Sequence, residues 1–368
     1  VSLPAPEKGS PAEQLERDAA SNPRWALREN LARFYASPPE VERRSDGVSV
    51  ARWTVDEVSG REARTAWRVD ELSGYVYLES LERGDRTGKL SPGTEPAASP
   101  CIPGCPLSSE AAPTDPVPML AAPGLAIPAG HGPSRVLRFA SARANLYPYL
   151  PRAALILPVG DKHGRPATWP LQATAETLLL AAYFESLARE ALHWGGLEIF
   201  HNLGHEAFGS QEHPHLQVVP RPASLPWEPA PGLPRPTPAA LRDPANELAR
   251  RGRFTARLNR GTGDPWIDPG DLECWAAMSF EDCLHLAELW RRIDRAYALA
   301  GCHHLNAPFH APDFRDGSAG PLVAFAPRER GWGRGRAGFE LLHRDRVWVT
   351  ARPVEALGEH FRRVLAAP

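Results

Sequence analysis

Residues Ile199–Pro220 read IFHNLGHEAFGSQEHPHLQVVP and contain His213-Pro214-His215-Leu216-Gln217. Along a β-strand, residues two apart share a face. His213, His215 and Gln217 are therefore expected to project together, with Pro214, Leu216 and Val218 on the other side. Two imidazoles and an amide on one face suit phosphoryl chemistry. A neutral His can attack phosphorus and hold it as a phosphoramidate, which splits one hard transfer into two easier ones. A Gln beside it can donate to a phosphoryl oxygen but supplies no proton at neutral pH. That favours leaving groups that depart already anionic. Upstream, Asn202-x-Gly204 and Gly209-Ser210-Gln211 offer small residues, backbone N–H groups and a hydroxyl near the anion.

From Asn202 to Pro220 the run resembles the His-x-His-x-Gln signature of the transferase branch of the histidine-triad superfamily. That branch includes galactose-1-phosphate uridylyltransferases, diadenosine tetraphosphate phosphorylases and adenylylsulfate:phosphate adenylyltransferases. Asn-x-Gly, Gly-Ser and His-Pro-His-x-Gln stand in the uridylyltransferase-like order. The local Gly-Ser-Gln-x-His-x-His-Leu-Gln is more similar to the dinucleotide phosphorylases. The resemblance implies an α+β fold: a duplicated histidine-triad-like half-barrel, an antiparallel sheet with packed helices. It implies a nucleotidyltransferase in which His215 attacks the α-phosphorus of a nucleoside diphosphate-type donor. One ring nitrogen attacks, so the other is expected to be held as N–H by a backbone carbonyl or similar acceptor. Gln217 and Ser210 would complete the catalytic set by holding the non-bridging oxygens and the leaving group. Asn202, Gly209 and Gln211 are expected on the substrate, with Asn145 of Asn145-Leu-Tyr-Pro148 near the nucleotide. The expected partners are a nucleotide donor and phosphate or a sugar phosphate. AMP transfer from a diadenosine polyphosphate or adenylylsulfate to phosphate is the first reading, and UMP transfer between UDP-hexose and a hexose 1-phosphate the alternative. A nucleotide-binding protein without turnover is a third reading, against which His215 and Gln217 speak, since a binding module needs no nucleophile.

The chain has five Cys, an odd number spread too widely for a disulfide framework. Cys101 and Cys105 lie four apart in a Pro-rich turn, and two thiolates can serve one zinc that wants four Cys/His ligands. His163 and His213 follow at separations closely similar to those of the Cys pair, the His and the first His of His-Pro-His in uridylyltransferase-like proteins. A structural Zn²⁺ on Cys101, Cys105, His163 and His213 is therefore expected. This chain has three residues between the two Cys, where those relatives carry two. His213 either ligates that metal or buttresses the strand. Cys302-His303-His304, with His310 and Asp313, fits no common ligand spacing and reads as a loop. Arg328–Arg336 reads as a glycine-rich turn with solvated Arg, with a phosphate grip as its alternative.

Net charge is −2, so no polyanion-binding footprint is present and nucleic acid is not expected as a partner. No apolar run reaches the length of a membrane span. The N-terminal residues have neither a basic start nor an apolar h-region. A cytoplasmic address follows, with a homodimer left open as the assembly.

The 40 Pro are uneven: two Pro-rich stretches, 91–133 and 221–247, read as extended connections. The expected organisation is an N-terminal helical and β extension with a Pro-rich segment over 1–133, and a catalytic histidine-triad-like domain over 134–220. A Pro-rich linker over 221–252 leads to a second, degenerate copy over 253–368. Apolar spacing predicts helices over 12–19 and 25–35. The echo Trp53–Gly60 and Trp67–Gly74 predicts a β-meander. In the catalytic part, β-β-α-β-β is expected, its helix over 173–194 stopped by Gly195-Gly196. In the second copy, β structure over 253–268 is followed by a helix from Ser279-Phe-Glu-Asp282 to Leu299. Strands over 323–327, 339–342 and 346–349 and a closing helix from Pro353 complete it.

Overall fold

The computed structural model describes residues 40–45, 48–56, 61–69, 76–80, 98–101, 103, 105, 107, 119–121, 126–127, 135–144, 154–158, 162–190, 194–204, 207, 213–222, 243–260, 263–310, 321–328, 347–350 and 354–367. The helices expected over 12–19 and 25–35 and the strand over 339–342 lie outside them, as do Asn145, Gly209, Ser210, Gln211 and Asp313. The chain forms two compact units, Val1–Ala66 and Trp67–Pro368. In the first, Glu40–Arg43 and Ser49–Asp56 pair antiparallel. The second unit carries every element described below.

Its main sheet is antiparallel and is built in two passes. The first pass is β1 (Met119–Ala121), β2 (Ala140–Ala144), β3 (Ala154–Pro158), helix α1 (Leu171–Glu190), β4 (Trp194–Leu203) and β5 (Leu216–Pro222). The second is β6 (Glu247–Arg251), β7 (Phe254–Leu258), β8 (Pro265–Asp268), helix α2 (Phe280–Leu299), β9 (Leu305–His310) and β10 (Leu322–Ala324). Short β11 (Ala326–Pro327) pairs with β9, and helix α3 (Val354–Ala366) closes the chain. Across the sheet the order is β6-β7-β8-β10-β9-β4-β5-β3-β2-β1. Each half thus has the same connectivity, read inward from its own edge, and the halves meet where β4 pairs with β9. This is the expected duplication.

Alternation along the strands decides which face is buried. Ala154, Ile156, Ile199, Leu216, Val218, Phe254, Ala256, Ile267, Ala307, Phe309 and Val323 turn to the helices and join Leu178, Leu179, Leu286, Trp290 and Ile293 in one core. On the opposite face, Leu155 and Leu157 form a smaller cluster with Cys105 and Leu107. α2 begins at Ser279, whose hydroxyl accepts from the backbone N–H of Asp282 while the Asp282 carboxylate accepts from that of Ser279. Asp thus fills the box position usually given to Glu or Gln.

Four expectations shift. α1 ends at Glu190, and Gly195-Gly196 lie inside β4, where the register slips between Trp194 and Gly196. Glycine marks a bulge here and not a helix stop. β2 covers Ala140–Ala144, where the apolar pattern predicts a strand over Val136–Ala140. β6 rises from the end of the second Pro-rich stretch. Residues 302–310, read as a loop with solvated His, contain β9, one of the two central strands.

The two halves interlock through two buried carboxylates. Glu185 and Asp294 stand at the same position in their helices, 14 residues past the first. Asp294 accepts from the backbone N–H of Ala167, 2.9 Å away in the 3₁₀ turn before α1. Glu185 accepts from that of Ala276, 2.7 Å away in the 3₁₀ turn before α2. Asp294 also takes both arms of Arg165, at 2.9 and 2.8 Å, and Arg165 donates to the Cys302 carbonyl at 2.8 Å. A buried, bidentate and fully hydrogen-bonded pair of this kind fixes geometry more than it adds net stability. Arg165 lies two residues from His163, so α2 of the second half holds the turn carrying that ligand candidate.

Candidate active site and metal centre

Ser99–Pro100 runs antiparallel to Lys162–His163, with Ser99 opposite His163. That pairing delivers Cys101 beside the His163 ring: the Cys101 Sγ to His163 Nε2 distance is 3.3 Å. His213 enters from the segment leading into β5, its Nδ1 3.6 Å from Cys101 Sγ and 3.7 Å from Cys105 Sγ. The four donor atoms lie within 4.8 Å of one another, and three of the residues are buried. Two sulfurs and two ring nitrogens so converged could hold a metal ion. No other group of this kind occurs among the described residues, His303, His304 and His310 included.

The two His of His-Pro-His take different directions. β5 begins at Leu216, so both stand in the segment before it, with a bend at His213, and not on the strand itself. The His213 ring joins the Cys pair, whereas the buried His215 ring turns back to its own chain. His215 Nδ1 lies 2.8 Å from the His213 carbonyl oxygen. A carbonyl only accepts, so Nδ1 carries the proton and the ring lone pair sits on Nε2. Gln217 is opposite Leu155 of β3 and Phe200 of β4, on the face away from the helices.

β4 pairs with β5 up to His201 opposite Leu216. Asn202 and His215 are the next residues past that last pair, one on each chain segment. Asn202 also faces Asn306 of β9, whose amide nitrogen donates to Asn202 Oδ1 at 2.7 Å and to the Ala207 carbonyl at 2.8 Å. Gly204 has φ +76°, and a Cβ there would collide with the His304 ring. Asn-x-Gly therefore needs glycine for both conformation and space. Arg328, the first residue of the Arg/Gly-rich segment, donates from Nε to Asn306 Oδ1 at 2.6 Å, and Asn306 was not legible as a site residue. The alternation Leu305, Ala307, Phe309 was the available signal.

His201, inside the same motif, points the other way, into the core. The edges of Trp169 and Trp290 meet its ring at centroid separations of 5.6 and 5.7 Å. Burial, then the nearby His215 and Arg165, pushes its pKa down to about 3. The imidazole is thus neutral in the folded protein and costly to protonate. The depression from 6.5 corresponds to roughly 5 kcal/mol. Its sign is that of a lowered pKa: the stability is fully present above about pH 6.5 and is lost as the pH falls toward 3. His201→Phe should lose less stability than the wild type between pH 7 and pH 4, as read from urea midpoints. Parallel curves for the two proteins would refute this.

No family model and no curated protein matches the chain. Solved structures do. An ADP-glucose phosphorylase from Arabidopsis thaliana with bound ADP-glucose superposes with a TM-score of 0.57 at 15% identity, over 80% of this chain and 97% of that one. A GalT-like protein from the same plant gives 0.55 at 14% identity, again over 80% and 97%. A uridylyltransferase mutant gives 0.50 at 14% identity, over 73% and 93%. No helix among the described residues is long and apolar enough to cross a membrane. The two-pass antiparallel sheet and these superpositions identify the fold of the chain as the one these solved structures share.

Proposed function

We propose that the protein is a nucleotidyltransferase that works through a covalent nucleotidyl-His215 intermediate, with phosphate or a sugar phosphate as acceptor. The observation that carries this reading is the 2.8 Å contact between His215 Nδ1 and the His213 carbonyl, which leaves the ring lone pair on Nε2, as a nucleophile of this kind requires. In the first step Nε2 bonds to the α-phosphorus of the donor, and the phosphorus–oxygen bond to the leaving group breaks. The leaving group departs as an anion and takes no proton. Positive charge gathered by the imidazole is stabilised through Nδ1–H by the carbonyl oxygen. In the second step an oxygen of the acceptor attacks phosphorus, the phosphorus–nitrogen bond breaks and neutral His215 returns. Gln217, Asn202 and Ser210 serve as fixed donors to the phosphoryl oxygens. Asn145, Gly209 and Gln211 serve the nucleotide and its phosphates.

The likeness to a protein named ADP-glucose phosphorylase favours adenylyl over uridylyl transfer, with an adenine-containing diphosphate as donor and phosphate as acceptor. The likeness to a uridylyltransferase supports the UDP-hexose alternative. The metal, in this reading, is a structural zinc. For Zn–S of about 2.3 Å and Zn–N of about 2.0–2.1 Å, a tetrahedral site has S···N edges of ~3.5–3.6 Å, and the 3.3–3.7 Å separations here suit it. Cys101, Cys105, His163 Nε2 and His213 Nδ1 would hold the ion, which would supply fixed geometry and no open position for substrate.

The test compares cleavage of ADP-glucose, diadenosine tetraphosphate, adenylylsulfate and UDP-glucose, each with and without its acceptor. Phosphate or sugar phosphate should raise the rate for at least one donor by orders of magnitude, with an adduct of AMP or UMP size in the intact mass. Equal rates with and without acceptor would make the protein a hydrolase and overturn the reading of Gln217.

A further inference from the structure

The outer face of the sheet carries a polar row that crosses from one half of the molecule to the other. It runs from His215, before β5, to Asn202 on β4, Asn306 on β9 and Arg328, just past β11. The register places Asn202 opposite Asn306, and Asn306 opposite Ala326, two residues before Arg328. Every polar atom of the Asn306 side chain has a partner. Its nitrogen donates to Asn202 Oδ1 and to the Ala207 carbonyl, and its oxygen accepts from Arg328 Nε.

These contacts have only one consistent polarity. A guanidinium can only donate and a backbone carbonyl can only accept. Arg328 on one side and Ala207 on the other therefore fix which way the Asn306 amide points. Asn306 in turn presents N–H to Asn202 and holds the Asn202 oxygen toward β9. The Asn202 NH₂ is then directed away from β9, toward the β5 side of β4, where His215 is the residue before Leu216. A donor in that place suits an anionic oxygen, and a carbonyl there would repel it.

We infer that Asn306 and Arg328 are positioning residues: the second half sets the polarity of Asn202 so that it presents N–H to the transferring phosphoryl group beside His215. This rests on the proposed nucleotidyl transfer and adds to it a role for the half that lacks a His-x-His-x-Gln motif. It also states what the relay recognises, which is phosphoryl oxygen and not the base or sugar.

Asn306→Asp tests it. The carboxylate keeps an ion pair with Arg328 but cannot donate to Asn202, which should turn its own NH₂ inward and its oxygen toward the substrate. AMP affinity, measured by calorimetry, should fall by about tenfold to a hundredfold, the worth of one hydrogen bond to a charged group. Adenosine affinity and the melting temperature should stay near wild type. Asn306→Leu, which adds no charge, should show the same sign with a smaller loss, and Arg328→Lys, still a pure donor, should retain AMP affinity. Equal weakening of AMP and adenosine would reduce Asn306 to a purely structural role and overturn the inference. So would unchanged AMP binding in both Asn306 variants. A wild-type protein that binds AMP and forms no adduct with any donor would overturn the transfer reaction while leaving the relay standing as a phosphate-binding device. A wild-type protein that binds no AMP would overturn both.

Discussion

His215→Asn should cut nucleotidyl transfer by at least about a thousandfold and abolish the covalent adduct, with no change in melting temperature beyond a few degrees. Asn can still donate from its amide to the His213 carbonyl, now held by Nδ1 at 2.8 Å, so the local chain keeps its anchor. What it lacks is a ring nitrogen with a lone pair aimed at phosphorus. The residual rate should depend on phosphate as the wild type does, because the donors around the phosphoryl group remain. Turnover of the variant within tenfold of wild type would remove His215 as nucleophile and return the motif to a binding role.

The second large effect concerns the metal. Cys105→Ser, or exhaustive chelation, should release close to one zinc per chain and lower stability by several kcal/mol. Structural zinc in small domains is worth on the order of 10 kcal/mol, against a total margin of about 5–15 kcal/mol for a typical domain. Activity should fall with it. His213 supplies a ring nitrogen to the cluster and a carbonyl to His215. Releasing the ring should loosen the carbonyl that holds His215 Nδ1, so metal content and adduct formation should decline together along a chelator titration. Full activity in protein shown by metal analysis to be zinc-free would rule out the ion and its coupling to His215.

The grouping of Cys101, Cys105, His163 and His213 was legible through the resemblance, whose separations these four residues match, and the structure brings their donor atoms within 4.8 Å. The direction of each His could not be read. A strict strand reading puts His213 and His215 on one face, but β5 starts only at Leu216, and Pro214 stands between two rings with different partners. β9 was hidden for a related reason. Its outward positions are Asn306, Pro308 and His310, and a proline with a His cluster looks like a loop when only the polar half of the alternation is weighed. The inward Leu305, Ala307 and Phe309 carried the period-two pattern. Long-range polar contacts such as Arg165 with Asp294, 129 positions apart, leave no local trace. Ser210, Gly209, Gln211 and Asn145 rest on the motif resemblance.

The reciprocal carboxylates make each half depend on the other. Glu185 is fully buried, and burial raises its pKa against the opposing pull of Arg189. Its backbone donor lies 91 positions away, across the duplication. Asp294 depends in the same way on a turn from the first half. Cut between the copies, Asp294 would lose both Arg165 and the Ala167 N–H, and Glu185 would lose the Ala276 N–H and keep only Arg189, a cost that a half-sized core can ill absorb. A chain cut between the copies is therefore expected to give two weak fragments, where the intact chain should melt in one transition.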